Sequence, residues 1–177
     1  MDSKTYLSES ARTASEQFHD EIVDPAMLEH ALKQAISTGE LVDVAKKSLF
    51  YGKQVKEGTG IEEFKGNDSN LNSKAVHQDV LHAALGIYTE AAEMLEAVLK
   101  AMQGEEFDEV NAFEELGDAE WYMAMMYRAL NKTPQEAKTV NIDKLRKRYP
   151  QQFESSDAID RDTNAEREIL ENGHKTD

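Results

Sequence analysis

The sequence predicts an all-α fold, a bundle of four or more helices with an extra N-terminal helical layer, and three observations carry that expectation. Val, Ile and Thr are sparse beside Ala, Leu, Glu, Lys and Met, a balance that favours helix over sheet. Long segments repeat their apolar residues at helical spacing. Asp24-Pro25 and Thr133-Pro134 each pair a capping residue with proline at the first helical position. A chain of 177 residues fits one domain, or one domain with a helical extension.

In chain order, a first polar helix is expected from Ser8 to Ile22. A second runs from Pro25 to Phe50 on the stripe Leu28, Leu32, Ala35, Ile36, Leu49 and Phe50, with Gly39 bending or breaking it near Thr38. Gly52, Gly58, Gly60 and Gly66 mark residues 52–72 as a glycine-rich loop and a boundary. Ser73 to Met102 reads as one long helix with Leu81, Leu85, Tyr88, Ala92, Leu95 and Leu99 on its apolar stripe. After the turn Gln103–Glu106, a helix from Phe107 to Leu130 is nearly apolar all round beyond Trp121, which predicts burial on both sides. The helix after Thr133 stops before Pro150, and Ser156–Glu171 forms a charged amphipathic helix that must dock on something. The expected organisation is therefore an N-terminal helical extension over 1–72, a core over 73–150 and a C-terminal charged helix or tail over 151–177. Shifting the chain by 53 residues aligns the segment from Ser37 with that from Glu90, so that Glu40 matches Glu93. The first segment is either a degenerate repeat or a chance likeness of two amphipathic helices.

A formal net charge of −15 repels a phosphate backbone, so polymeric nucleic acid is not an expected partner. A single nucleotide remains compatible, because bound metal reverses the local sign. The chain has no cysteine, which excludes disulfides, thiolate metal sites and a cysteine nucleophile. It has no apolar run long enough to span a membrane and no apolar signal core in its first residues, so the expected location is the cytoplasm.

The chemistry-bearing pattern is a double pair of acids. Glu90 and Glu93 lie one turn apart on one helix, and Glu115 and Asp118 repeat the arrangement on the next. Helices joined by a short turn pack antiparallel, so the two pairs can face each other. Converging carboxylates repel unless cations neutralise them, and hard oxygen donors suit magnesium or manganese. The plain alternative is two solvated acidic faces. Against it, the Glu90 and Glu93 face also holds the small residues Ala83, Gly86 and Ala97, and the Glu115 and Asp118 face runs on into Tyr122, Met126 and Ala129.

The segments TEAAEMLEAV, FEELGDAEWYMA and NIDKLRKRYPQQF resemble the MazG-type family of all-α nucleoside triphosphate pyrophosphohydrolases, in particular its small phage-encoded members. The resemblance covers about Leu81 to Leu170. It implies that Glu90, Glu93, Glu115 and Asp118 bind Mg2+ or Mn2+, and that Glu93, with Glu90, is catalytic in hydrolysing a nucleoside triphosphate to the monophosphate and pyrophosphate. It further implies that Asn141, Lys144 and Arg148 contact phosphates, although a basic last turn also complements the helix dipole. Trp121 would stack on a base, or simply pack. One departure stands out: a KK–FYGK-like segment expected between the acid pairs lies upstream instead, as Lys46, Lys47 and Phe50-Tyr51-Gly52-Lys53. The N-terminal half therefore either lends Lys47, Tyr51 or Lys53 to the substrate or is only scaffold. Family members assemble as homodimers or homotetramers, which is the expectation here.

Two other classes compete. A di-iron carboxylate bundle would use Glu16-x-x-His19, Asp79-x-x-His82 or Glu171-x-x-His174, but the first lies in a polar segment and the last in the tail. A non-catalytic acidic helical protein that binds nucleotides or a partner is the other. His30, His77 and His82 read as polar or boundary residues, and no Ser-His-Asp, phosphate-loop or zinc spacing occurs.

Overall fold

Seven α-helices and no strands make up the described residues, 1–55 and 69–174, of the computed structural model. Most of the expected loop 52–72, with Gly58, Gly60 and Gly66, lies outside them. The helices are α1 (Ser3–Arg12), α2 (Pro25–Tyr51), α3 (Gln78–Met102), α4 (Glu109–Ala129), α5 (Pro134–Arg148), α6 (Ser155–Ile159) and α7 (Thr163–His174), with a single 3₁₀ turn at Asp20–Ile22. None is long and apolar enough to cross a membrane.

The chain divides differently from the expected 1–72, 73–150 and 151–177. One unit is Glu21–Leu130, and the other joins Met1–Asp20 to Asn131–Asp177. The reason is that α2 does not form a separate layer: it packs on α3, which also packs on α4.

Asp24 caps α2 by accepting the Ala26 N–H at 2.8 Å, with Pro25 at the first helical position. The helix runs unbroken past Gly39 and ends at Gly52, whose left-handed φ of 66° suits a residue without Cβ. The bend expected at Gly39 is absent. This glycine is buried against α3, where an added Cβ would lie 2.3 Å from the Ala92 Cβ, so its role is close helix contact. The two helices are antiparallel, with Gln103 donating to Glu29 at one end and Phe50 stacked on His82 at the other. α3 starts at Gln78 rather than Ser73, because the His77 side chain caps it by accepting the Asp79 N–H at 3.2 Å. Gly86 performs on the other side of α3 what Gly39 performs on the first. A Cβ there would fall 2.2 Å from the Tyr122 ring on α4.

α4 is less buried than its composition implies. Tyr122 and Met125 are buried, but Trp121 and Leu130 are each 54% exposed, as are Val110 and Phe113 to a greater extent. The helix contacts α3 along one stripe, with Tyr122 also reaching Lys46 and Tyr51 of α2, and the rest of its surface is left open.

In the other unit, the expected helix Ser8–Ile22 is replaced by α1, capped by Asp2, which accepts the Thr5 N–H. α1 lies on α5, where Tyr6 donates to Asn141 and the Arg12 guanidinium donates to the Tyr149 carbonyl. α5 opens with a reciprocal capping box between Thr133 and Glu136. The C-terminal segment is two helices rather than one, and α7 docks on α5 as expected of a helix that cannot stand alone. The contact is fixed by Glu166, buried and held by Arg148 at 2.6 Å and by Arg161 at 2.6 Å. Those two guanidiniums hold the Glu166 carboxyl down at about 2.

Two outcomes follow from this packing. Glu166→Gln leaves two guanidiniums against a neutral partner and should destabilise the protein by about 3 kcal/mol in chemical denaturation. The contribution of this carboxylate is complete above the ordinary carboxylate pKa and lost as pH falls through about 2, so the variant should also blunt acid unfolding in that window. Gly86→Ala places a methyl group inside the Tyr122 ring and should cost at least about 1–3 kcal/mol by the same measurement.

Candidate metal centre

The Gly86–Tyr122 contact draws α3 against α4, and one turn further along, Glu90 meets the acids of α4. Carboxylate oxygens of Glu90, Glu115 and Asp118 all lie within 4.8 Å of one another. Glu90 and Glu115 are each 6% exposed, while Asp118 opens to solvent. The small residues flanking the pair on α3 are the reason for this burial. Ala83, Gly86 and Ala97 line the same face and are themselves buried, so the neighbouring helices close over it.

Three negative charges cannot share such a space cheaply. Glu115 has its pKa pushed up to about 7, first by burial, then by the charge of Glu93 and by a hydrogen bond and charge repulsion from Glu90. Glu93 is not part of the three-way cluster. It opens onto an adjoining cleft, where its carboxyl is also pushed up, by desolvation and then by Glu90 and Asp43, with Lys46 and Lys47 opposing.

That cleft has a volume of about 680 Å³ and lies between α2, α3 and the start of α4. It meets the cluster at Glu115, with Glu93 on its wall beside it. Its described lining includes Glu40, Asp43, Glu96 and Asp108 against the single cation Lys100. Glu40 and Glu93, matched by the 53-residue shift, face it from α2 and α3.

Asp43 and Thr89, to which the sequence assigned no role, and Lys46, named there only as part of the upstream segment, complete the centre. Lys46 of α2 is 4% exposed, and its ammonium donates to the Thr89 hydroxyl at 2.8 Å. It also lies 3.3 Å from Asp43 Oδ1 and 3.5 Å from Glu90 Oε1. The Tyr122 ring covers its other side, 5.0 Å away. Thr89 in turn donates to the Gly86 carbonyl at 2.9 Å. The signal was present in the sequence: Asp43 and Lys46 share a helical face with Gly39 and Phe50, which makes a lysine on an inward stripe.

Beyond Tyr122 lies an aromatic cluster. His82 stacks on Phe50 at 3.9 Å and meets Tyr51, Trp121 and Tyr122 edge-on. It is a buried residue rather than a boundary one, and burial followed by the Lys46 charge lowers its pKa. Burial and the hydrogen bond with Tyr51 push the Tyr122 phenol up.

The other expected site residues are distributed as follows. Lys47 is paired with Asp43, and Tyr51 joins the aromatic cluster. Lys53 is exposed just after α2, and Trp121 presents half its surface to solvent. Asn141, Lys144 and Arg148 belong to the other unit, where Asn141 accepts from Tyr6 and Arg148 is committed to Glu166. Of the histidine motifs, Glu16 and His19 lie outside any helix, the side chain of His174 lies outside the described residues, and the one cluster of metal-binding type among the described residues contains no histidine.

A carboxyl with a raised pKa favours the folded state in its neutral form. The contribution from Glu115 is therefore full below the ordinary carboxylate range and is lost as pH rises through about 7. In chelator-treated buffer, the melting temperature should fall by several degrees between about pH 5 and about pH 8, and Glu115→Gln should flatten that slope. No protein-family model, no curated protein and no solved structure matches this chain.

Proposed function

We propose that this protein is a magnesium- or manganese-dependent nucleoside triphosphate pyrophosphohydrolase, releasing a nucleoside monophosphate and pyrophosphate. The observation that carries this reading is the convergence of Glu90, Glu115 and Asp118 on one point, with two of the three carboxylates buried. The donor set fits a hard divalent ion, because a carboxyl pushed up to about 7 by burial and then by its acidic neighbours needs either a proton or a cation. The likeness of the two acid pairs and their flanking segments to MazG-type enzymes supports the same reading from the sequence.

Glu90, Glu115 and Asp118 would hold the ion, with Glu93 beside them. Bound there, the ion would supply charge neutralisation at the phosphate oxygens and would lower the pKa of a water. Glu93 has the position and the raised pKa of a general base: it opens to the cleft and takes the proton of the attacking water. The water oxygen bonds to the α-phosphorus, the bond from that phosphorus to the α–β bridging oxygen breaks, and pyrophosphate leaves with the electron pair. The exposed rings of Tyr51 and Trp121 offer a stacking surface for a base near the acids. A cleft of about 680 Å³ is of the size that takes small-molecule ligands.

One feature favours a second reading. The surplus of acids over cations in the cleft also suits a non-catalytic protein that docks a cationic partner. Incubation with Mg2+ and a panel of NTPs and dNTPs should yield monophosphate and pyrophosphate, and diphosphate with orthophosphate would contradict the cleavage point. Glu93→Gln should lower turnover by about a hundred- to ten-thousandfold with the helical circular dichroism unchanged. Absence of turnover in the unaltered protein would favour the docking reading.

A further inference from the structure

Lysine is rarely buried unless its charge is met, and at 4% exposure Lys46 is among the most buried polar side chains of the described residues. Its described polar partners all belong to the acid centre or its rim: Thr89, Asp43 and Glu90. The remaining side is closed by the Tyr122 ring. A buried ion pair of this kind gives little net stability, since desolvation offsets the attraction, so stability alone does not account for it. Its location does. The ammonium touches Oε1 of Glu90, the carboxylate that α3 contributes to the convergent oxygens. It also reaches the site from α2, the helix that the acid pattern of the sequence leaves out.

We infer that Lys46 is the resident counter-ion of the carboxylate centre, a positioning residue that holds Glu90 through Oε1 and keeps the acids together before any divalent ion arrives. This rests on the metal-binding part of the function proposed above. It has a definite electrostatic consequence. An incoming divalent ion gains from the carboxylates and loses against the ammonium, so Lys46 moderates affinity while stabilising the empty centre. The N-terminal half is then part of the carboxylate centre itself, through Lys46.

The test compares the unaltered protein with Lys46→Met, which keeps an unbranched apolar stem without the ammonium. Free Mn2+ is followed by electron paramagnetic resonance during titration, and thermal midpoints are taken in chelator and in saturating Mn2+. Lys46→Met should bind Mn2+ about tenfold more tightly, the order expected when one like charge is removed beside a divalent ion. Its midpoint should fall in chelator, and saturating Mn2+ should close most of that gap. Should the methionine variant fail to fold, Lys46→Gln supplies the same readout with a hydrogen-bond donor retained for Thr89. Unchanged or weaker Mn2+ binding, or an equal loss of midpoint with and without metal, would overturn the inference and leave the metal centre standing. No Mn2+ binding by the unaltered protein would overturn the metal reading and this inference with it.

Discussion

The close approach of α3 to α4 governs everything that is chemically unusual in the Glu21–Leu130 unit. Two antiparallel helices ordinarily keep their glutamates at the rim of the contact, where long side chains reach water. Here Gly86 lets the Tyr122 ring sit against the α3 backbone, and the next turn of each helix then has no room to splay. Glu90 and Glu115 are carried inward with the backbone, and the cost appears as the raised pKa of Glu115. Packing has been spent on holding like charges together, which no folding requirement demands.

α2 meets the same centre from another face of α3. The same device, a glycine pressed on a small partner, brings it close: Gly39 rests on Ala92, and two turns later Lys46 enters the acid centre. Asp43 and Thr89 orient the ammonium, and Tyr122 links all three helices by packing on Gly86 and covering Lys46 at once. Among its described residues the unit is thus an arrangement of α2, α3 and α4 in which two glycines set distances and one lysine and one tyrosine fill what those distances create. The contrast with the second unit is instructive. There a buried carboxylate, Glu166, has two guanidinium partners and a lowered pKa, as a purely structural acid should. Glu115 has acids for neighbours and a raised one, which sets it apart physically as a candidate for chemistry.

The sequence by itself determined the helical class, the starts of α2 and α5 at their cap-proline pairs, and the face-sharing of Glu90 with Glu93 and of Glu115 with Asp118. These are local properties, set by capping chemistry and by the 3.6-residue period, and they survive whatever the helices pack against. Only the tertiary structure decided that Gly39 is a contact rather than a bend, that α2 belongs with α3 and α4, and that Lys46 rather than Lys47 is the buried cation. It likewise committed Arg148 to Glu166 and drew Glu90, rather than Glu93, into the convergent set of oxygens. Each of these depends on which side chains from distant segments come within a few ångströms, and helical periodicity fixes a residue's face but not its neighbour.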